Sequence, residues 1–222
     1  PAARAVRWRL AILRAVRIAF LLPVPLRSAL RGAPVPPPRA AASLAGWLRQ
    51  SGHDVSMIDA REPDPAGGVA ASRPDLVLLP ASARTGPEVA ALARACKAAC
   101  DAPTAAFGPL PSLFPAHVLG EPALDFAVVG DPEETVLQLL EQLPAPAAVD
   151  GLATRGVDGV VLGRPRRPFP DLDSLAPAAW ELVDRSRYGL PRWAGKGDVL
   201  PVQLSRGCSH AECTFCASAG AL

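Results

Sequence analysis

Hydrophobic residues in this chain fall into short, nearly continuous runs, separated by longer stretches in which they recur every three or four positions. The runs RIAFLL (17–22), DVSMID (54–59), DLVLL (75–79), TAAF (104–107) and DFAVV (125–129) read as strands buried on both faces. Between them, residues 39–51, 87–99, 112–119 and 133–143 carry helical character. In the first of these, Leu44, Trp47 and Leu48 fall at spacings of three and four, and Gly52 ends the pattern. Asp131 stands where a helix cap belongs, with Pro132 at the first helical position. This alternation predicts an α/β fold: a doubly wound parallel five-stranded sheet over residues 17–145, after an N-terminal extension at 1–16.

In such a sheet, ligands sit in the crevice at the carboxyl ends of the strands. The loops there are residues 23–31, 80–85, 108–111 and 130–133, rich in glycine, proline and small side chains. Pro23, Pro80, Ser82, Gly108, Pro109 and Gly130 are the candidate contacts, since such positions let backbone approach a large flat ligand. No loop carries a G-x-G-x-x-G run or a P-loop, which disfavours a dinucleotide or nucleoside triphosphate. Beyond residue 145 a Pro/Ala linker leads to a hairpin around 156–159 and a proline-rich connector, together 146–197. The run VLPVQL (199–204) reads as the first strand of a new unit, 198–222, that delivers a cysteine loop. Too little chain follows to close that unit, so a fragment of a longer protein or a truncated reading frame is expected.

Charge narrows the partners. The 23 Lys and Arg against 21 Asp and Glu leave a formal charge of +2, too balanced for a nucleic-acid or membrane-surface partner. The first stretch is basic and then apolar, but Arg14 and Arg17 interrupt it and no small-residue cleavage site follows, so neither a signal peptide nor a spanning helix is expected. A cytoplasmic location follows.

The cysteines bring in chemistry. There are 5, an odd number, and Cys208, Cys213 and Cys216 crowd into SRGCSHAECTFCAS. That is not the even, dispersed framework of a secreted disulfide protein. Three soft, anionic thiolates in the spacing C-x4-C-x2-C suit three irons of a 4Fe-4S cluster, leaving the fourth iron open to a ligand. Arg206 beside them would favour the thiolate form. A structural zinc site recruiting His210, or unliganded thiols, are the rival readings. Cys96 and Cys100 lie one helical turn apart and read as packing residues.

LSRGCSHAECTFCAS resembles the cluster loop of the radical S-adenosylmethionine superfamily, with an aromatic residue, Phe215, before the third cysteine. The commoner spacing there has three residues between the first two cysteines, and the four-residue variant is known in cobalamin-binding members. Upstream, RIAFLLP, AASLAGWLRQSGHDVSMIDA, RPDLVLLPAS and AAFGPLPSLFPAHVLGEPALDFAVVGDPEETVLQLLEQL are together similar to the cobalamin-binding domain of that subfamily. DGLATRGVDGVV and PRRPFPDLDSLAPAAWELVDRSRYG are similar to its hairpin and connector. The resemblance implies an enzyme holding a 4Fe-4S cluster on Cys208, Cys213 and Cys216, with S-adenosylmethionine against Phe215 and cobalamin over the crevice loops. It further implies a 5'-deoxyadenosyl radical, radical methylation or a related C–H functionalisation, an unidentified small-molecule or peptide substrate, and an electron donor such as flavodoxin or ferredoxin. The D-x-H-x-x-G cobalt-ligand signature is absent, as it commonly is in this subfamily; His53 opens a strand and His117 lies in a helix. Two departures from the resemblance stand at the crevice, Phe107-Gly108-Pro109 for a Gly-Gly pair and Gly130-Asp131-Pro132-Glu133 for the usual acidic run. A non-catalytic corrinoid-binding module is the alternative.

Overall fold

The computed structural model describes residues 15–25, 34–146, 148–169, 171–189, 200–208, 210 and 212–216. The first expected strand, β1 (Arg17–Leu22), lies inside the sheet and is buried from its second residue onward. Its side chains alternate between two cores. Ile18, Phe20 and Leu22 meet α1 (Arg39–Gln50) on one face, while Ala19 and Leu21 belong to the core of the other. That double burial is why the strand reads as a continuous apolar run.

β1 pairs with β2 (Asp54–Asp59) on one side and with β3 (Leu76–Pro80) on the other. β4 (Thr104–Phe107) and β5 (Phe126–Val128) continue outward from β3, all parallel. The order β2-β1-β3-β4-β5 reverses direction between β1 and β3, which makes that point the switch of a doubly wound sheet. The crossover helices are divided between two faces. α1 and α6 (Pro132–Gln142) cover one core; α2 (Pro65–Ala71), α3 (Gly86–Ala99) and α5 (Pro115–Leu119) cover the other.

Five differences from the sequence reading have physical causes. The hairpin expected in the connector, β6 (Leu152–Gly156) and β7 (Gly159–Leu162), pairs antiparallel on β5, so the sheet has seven strands rather than five. The helix expected over 112–119 is two short helices, α4 (Pro109–Leu113) and α5, split at Phe114. Pro115 drives its predecessor out of the helical region, and Phe114 sits at φ −135°. The glycine-rich α2 was not foreseen; the Asp64 carboxylate accepts from the Gly67 amide at 2.9 Å and Pro65 fills the first turn. Asp131 makes no side-chain cap on α6, because its carboxylate accepts from the Phe169 amide at 2.8 Å. Finally, residues 200–204 form no strand; Val202 and Leu204 remain 75% and 90% exposed, with no strand beside them among the described residues.

The connector is tied back onto the sheet domain. Ala179 donates its amide to the Ala42 carbonyl at 2.9 Å, Trp47 and Phe169 meet edge to face at 5.4 Å, and Arg49 pairs with Glu181. Tyr188 donates to Asp59 at 2.5 Å while Arg61 stacks on its ring at 4.5 Å. His53 is buried just before β2, its Nδ1 accepting from the Val16 amide at 3.4 Å, and His117 is exposed on α5. Among the described residues, no helix is long and apolar enough to cross a membrane.

Candidate functional site

A cleft of about 330 Å³ opens at the carboxyl ends of β4 and β5. Its floor is Phe107 and Gly108; its walls are the first turn of α1 with Arg39 and Ser43, α4 with Pro109 and Ser112, and the Gly130 to Glu133 turn leading into α6. Arg166, Gln203, Arg206 and Gly207 close the rim. Gly108, Pro109 and Gly130 therefore line the cleft. Pro23, Pro80 and Ser82 lie at the same edge of the sheet but not in this cleft; Ser82 instead closes a turn, its amide donating to the Thr85 hydroxyl at 3.0 Å. A second cavity of about 550 Å³, between α3 and α5, is lined by Ala81, Val89, Leu110 and His117.

Gly108 is the tightest point of the floor. At φ +111° it carries the chain from β4 into α4, and a Cβ there would lie 2.9 Å from the Ala81 carbonyl oxygen. Ser112 then donates its hydroxyl to the Gly108 carbonyl at 2.8 Å and accepts the Gly130 amide at 3.0 Å, joining the β4 and β5 turns. With Phe107 only 1% exposed, the floor around Gly108 offers mainly backbone, which suits close approach by one edge of a large flat ligand such as a corrinoid.

Charge is concentrated on the rim. Arg206 donates both guanidinium arms to Glu133, at 2.9 and 2.5 Å, and reaches Asp131 at 3.1 Å. Those hydrogen bonds to Glu133, reinforced by both carboxylates, outweigh the desolvation of Arg206 and raise its pKa. Arg206 is thus committed to the α6 turn, which corrects the expectation that it serves the cysteine thiols. Arg166 binds the same helix through Glu134 at 2.8 Å, Gln138 at 2.5 Å and Thr135 at 3.0 Å. Arg39 is bound to the neutral Gln203 at 2.5 Å; burial, and then the charge of Arg206, lower its pKa. Sequence reasoning missed these rim residues. Arg206 and Glu133 stood in quoted motifs, but nothing linear pairs them.

Cys208 follows Gly207 and is exposed; Cys213 and Cys216 are half-buried, and the Cys216 amide donates to the Cys213 carbonyl at 3.1 Å. The donor set is right for iron or zinc by its chemistry. Among the described residues, however, no three His, Cys, Asp or Glu side chains are gathered closely enough to hold a metal. Phe215 is 90% exposed, and residues 209, 211 and 217–222 lie outside the described residues. Cys96 is buried against the α3 core, in keeping with a packing role, and burial pushes its thiol up to about 11.

Comparison with known proteins agrees with this geometry. Residues 31–140 match the B12 binding domain family. An anaerobic magnesium-protoporphyrin IX monomethyl ester cyclase from Synechocystis sp. is 31% identical over 199 residues, which cover 83% of this chain and 38% of that protein. This chain therefore spans about two fifths of that curated relative. Among solved structures, the cobalamin-dependent S-adenosylmethionine radical enzyme OxsB with aqua-cobalamin bound superposes with a TM-score of 0.69 at 17% identity, over 91% of this chain and 28% of that one. The radical S-adenosylmethionine methyltransferase TsrM from Kitasatospora setae, with cobalamin and a [4Fe-4S] cluster bound, gives 0.58 at 19% identity over 78% of this chain and 34% of that one. At those identities the two structures speak for the fold. The resemblance read from the sequence, to cobalamin-binding radical S-adenosylmethionine proteins, is the one these comparisons return, with the match to the B12 binding domain family lying at residues 31–140.

Proposed function

We propose that this chain is part of a radical S-adenosylmethionine enzyme in which the cleft at the ends of β4 and β5 takes one edge of cobalamin and Cys208, Cys213 and Cys216 ligate a 4Fe-4S cluster. The observation that carries the reading is adjacency. Arg206 and Gly207, directly before Cys208, form part of the rim of the cleft in the B12 binding domain. The cofactors would supply a 5'-deoxyadenosyl radical and a transferable methyl group, with S-adenosylmethionine against Phe215, for methylation or a related C–H functionalisation.

The chain's own part is binding and exclusion. The three thiolates would ligate three of the cluster's irons, leaving the fourth for another ligand. Gly108, Gly130 and Pro109 would present backbone to the corrinoid, while Arg166 holds α6 in place through Glu134, Thr135 and Gln138. Pro23, Pro80 and Ser82 would meet a ligand that extends along the strand ends toward β1 and β3. The substrate is a small molecule or peptide, and a cytoplasmic one-electron donor such as flavodoxin or ferredoxin completes the system.

Anaerobic reconstitution tests the cluster: about four irons per chain with visible absorption are expected, and Cys213→Ala should abolish both. Equal iron in wild type and variant would refute it. The separation of the thiols among the described residues favours a second reading, a corrinoid-binding module without catalysis. Saturable stabilisation by hydroxocobalamin with no iron uptake would select that reading. Stoichiometric zinc after aerobic purification would select a structural site instead.

A further inference from the structure

We infer that Arg206 is a positioning residue: its fork onto Glu133, with its contact to Asp131, latches the cysteine-bearing segment across the mouth of the cleft and so holds Cys208 at the edge of the ligand's site. The inference deepens the reading of the cysteines as cluster ligands and rests on that reading only for what Cys208 holds.

Burial decides what binds the segment. Residues 200–208 contain neither helix nor strand, and Val202 and Leu204 are 75% and 90% exposed, so apolar contact does little to hold them. Glu133, in contrast, is 1% exposed. A carboxylate so buried is tolerated only when paired and hydrogen-bonded, and Arg206 supplies two donors at 2.9 and 2.5 Å. The planar fork fixes direction as well as distance, which a point charge would not.

A second tie lies three residues earlier, where Gln203 accepts from Arg39 at 2.5 Å. Arg39 stands at the start of α1 and Glu133 at the start of α6, on opposite walls of the cleft. The segment is therefore strapped to both walls. Directly after the latch, Gly207 turns the chain at φ +77° and Cys208 follows. The acidic turn after β5 is then the anchor of a strap rather than only a helix start.

Hydrogen exchange of the metal-free chain, read by mass spectrometry, tests the latch. Arg206→Gln should speed exchange at residues 203–208 by roughly tenfold or more, with peptides from β1 and β3 unchanged. Glu133→Gln, which removes the buried charge and so guards against simple misfolding, should give the same increase. The double variant should add nothing further, and Arg206→Lys should restore part of the protection. In wild type, hydroxocobalamin should slow exchange at 203–208; in Arg206→Gln it should not. Unchanged exchange in Arg206→Gln, or additive effects in the double variant, overturns the latch. The two readings fail separately. Iron loading with unchanged exchange removes the latch and keeps the cluster, whereas the expected exchange pattern without iron uptake removes the cluster and keeps the latch.

Discussion

Replacing Gly108 by alanine should destabilise the chain by about 2–4 kcal/mol while leaving its secondary structure in place. Gly108 has φ +111° and ψ −162°, a conformation open to glycine alone among ordinary residues. Holding an L-residue there costs on the order of 1–3 kcal/mol. The added Cβ would also lie 2.9 Å from the Ala81 carbonyl oxygen, which is backbone and cannot swing aside. That oxygen accepts the Leu110 amide at 3.1 Å, while the Ala81 amide donates to the Phe107 carbonyl at 2.7 Å. Relieving the contact must stretch this pair, adding roughly 1 kcal/mol, the scale of one weakened hydrogen bond. Gly130→Ala is the matched control, because φ is +81° there and a Cβ would meet nothing within 4 Å. Only backbone strain remains in that variant, roughly 1–2 kcal/mol. Urea unfolding followed by circular dichroism measures both. If Gly108→Ala falls within about 0.5 kcal/mol of wild type, or unfolds no more readily than Gly130→Ala, close approach of the two turns is not what requires glycine.

Two further outcomes follow from buried titratable groups. Desolvation pushes the Asp59 carboxyl up, but hydrogen bonds from Arg61 and Tyr188 outweigh it and hold the group below its ordinary 3.8. A carboxyl depressed on folding stabilises the chain above the unfolded pKa, and that contribution is lost as pH falls through the folded one. Thermal melts of wild type and Asp59→Asn should therefore converge as pH falls below about 4, and parallel curves would contradict the assignment. Burial, and then the neighbouring Cys100, raise the Cys96 thiol to about 11, whereas Cys208 is exposed. At about pH 8 iodoacetamide should label Cys208 in the folded, metal-free chain and spare Cys96 until urea is added. Equal labelling rates in the folded state would show that α3 does not shield its thiol.

Local pattern alone determined the α/β class, the five parallel strands and the thiol spacing. Each of those is written in neighbouring residues: β1 is apolar at successive positions because both of its faces are covered, and Cys208, Cys213 and Cys216 share one short loop. The family resemblance was legible for a related reason, since the motifs occur in a fixed order along the chain. Features that weaken local pattern were harder. α2 carries Gly67 and Gly68, and Pro115 splits a helix whose periodicity runs on past it. Tertiary structure alone decided that the hairpin extends the sheet, since an antiparallel edge partner is chosen by which edge is free and not by the hairpin's own residues. It alone brought Arg206 onto Glu133, 73 positions away, and Arg39 onto Gln203, 164 positions away. Such pairings depend on where successive crossovers deliver the strand ends, and no periodicity within either segment records the charge it will meet across the cleft.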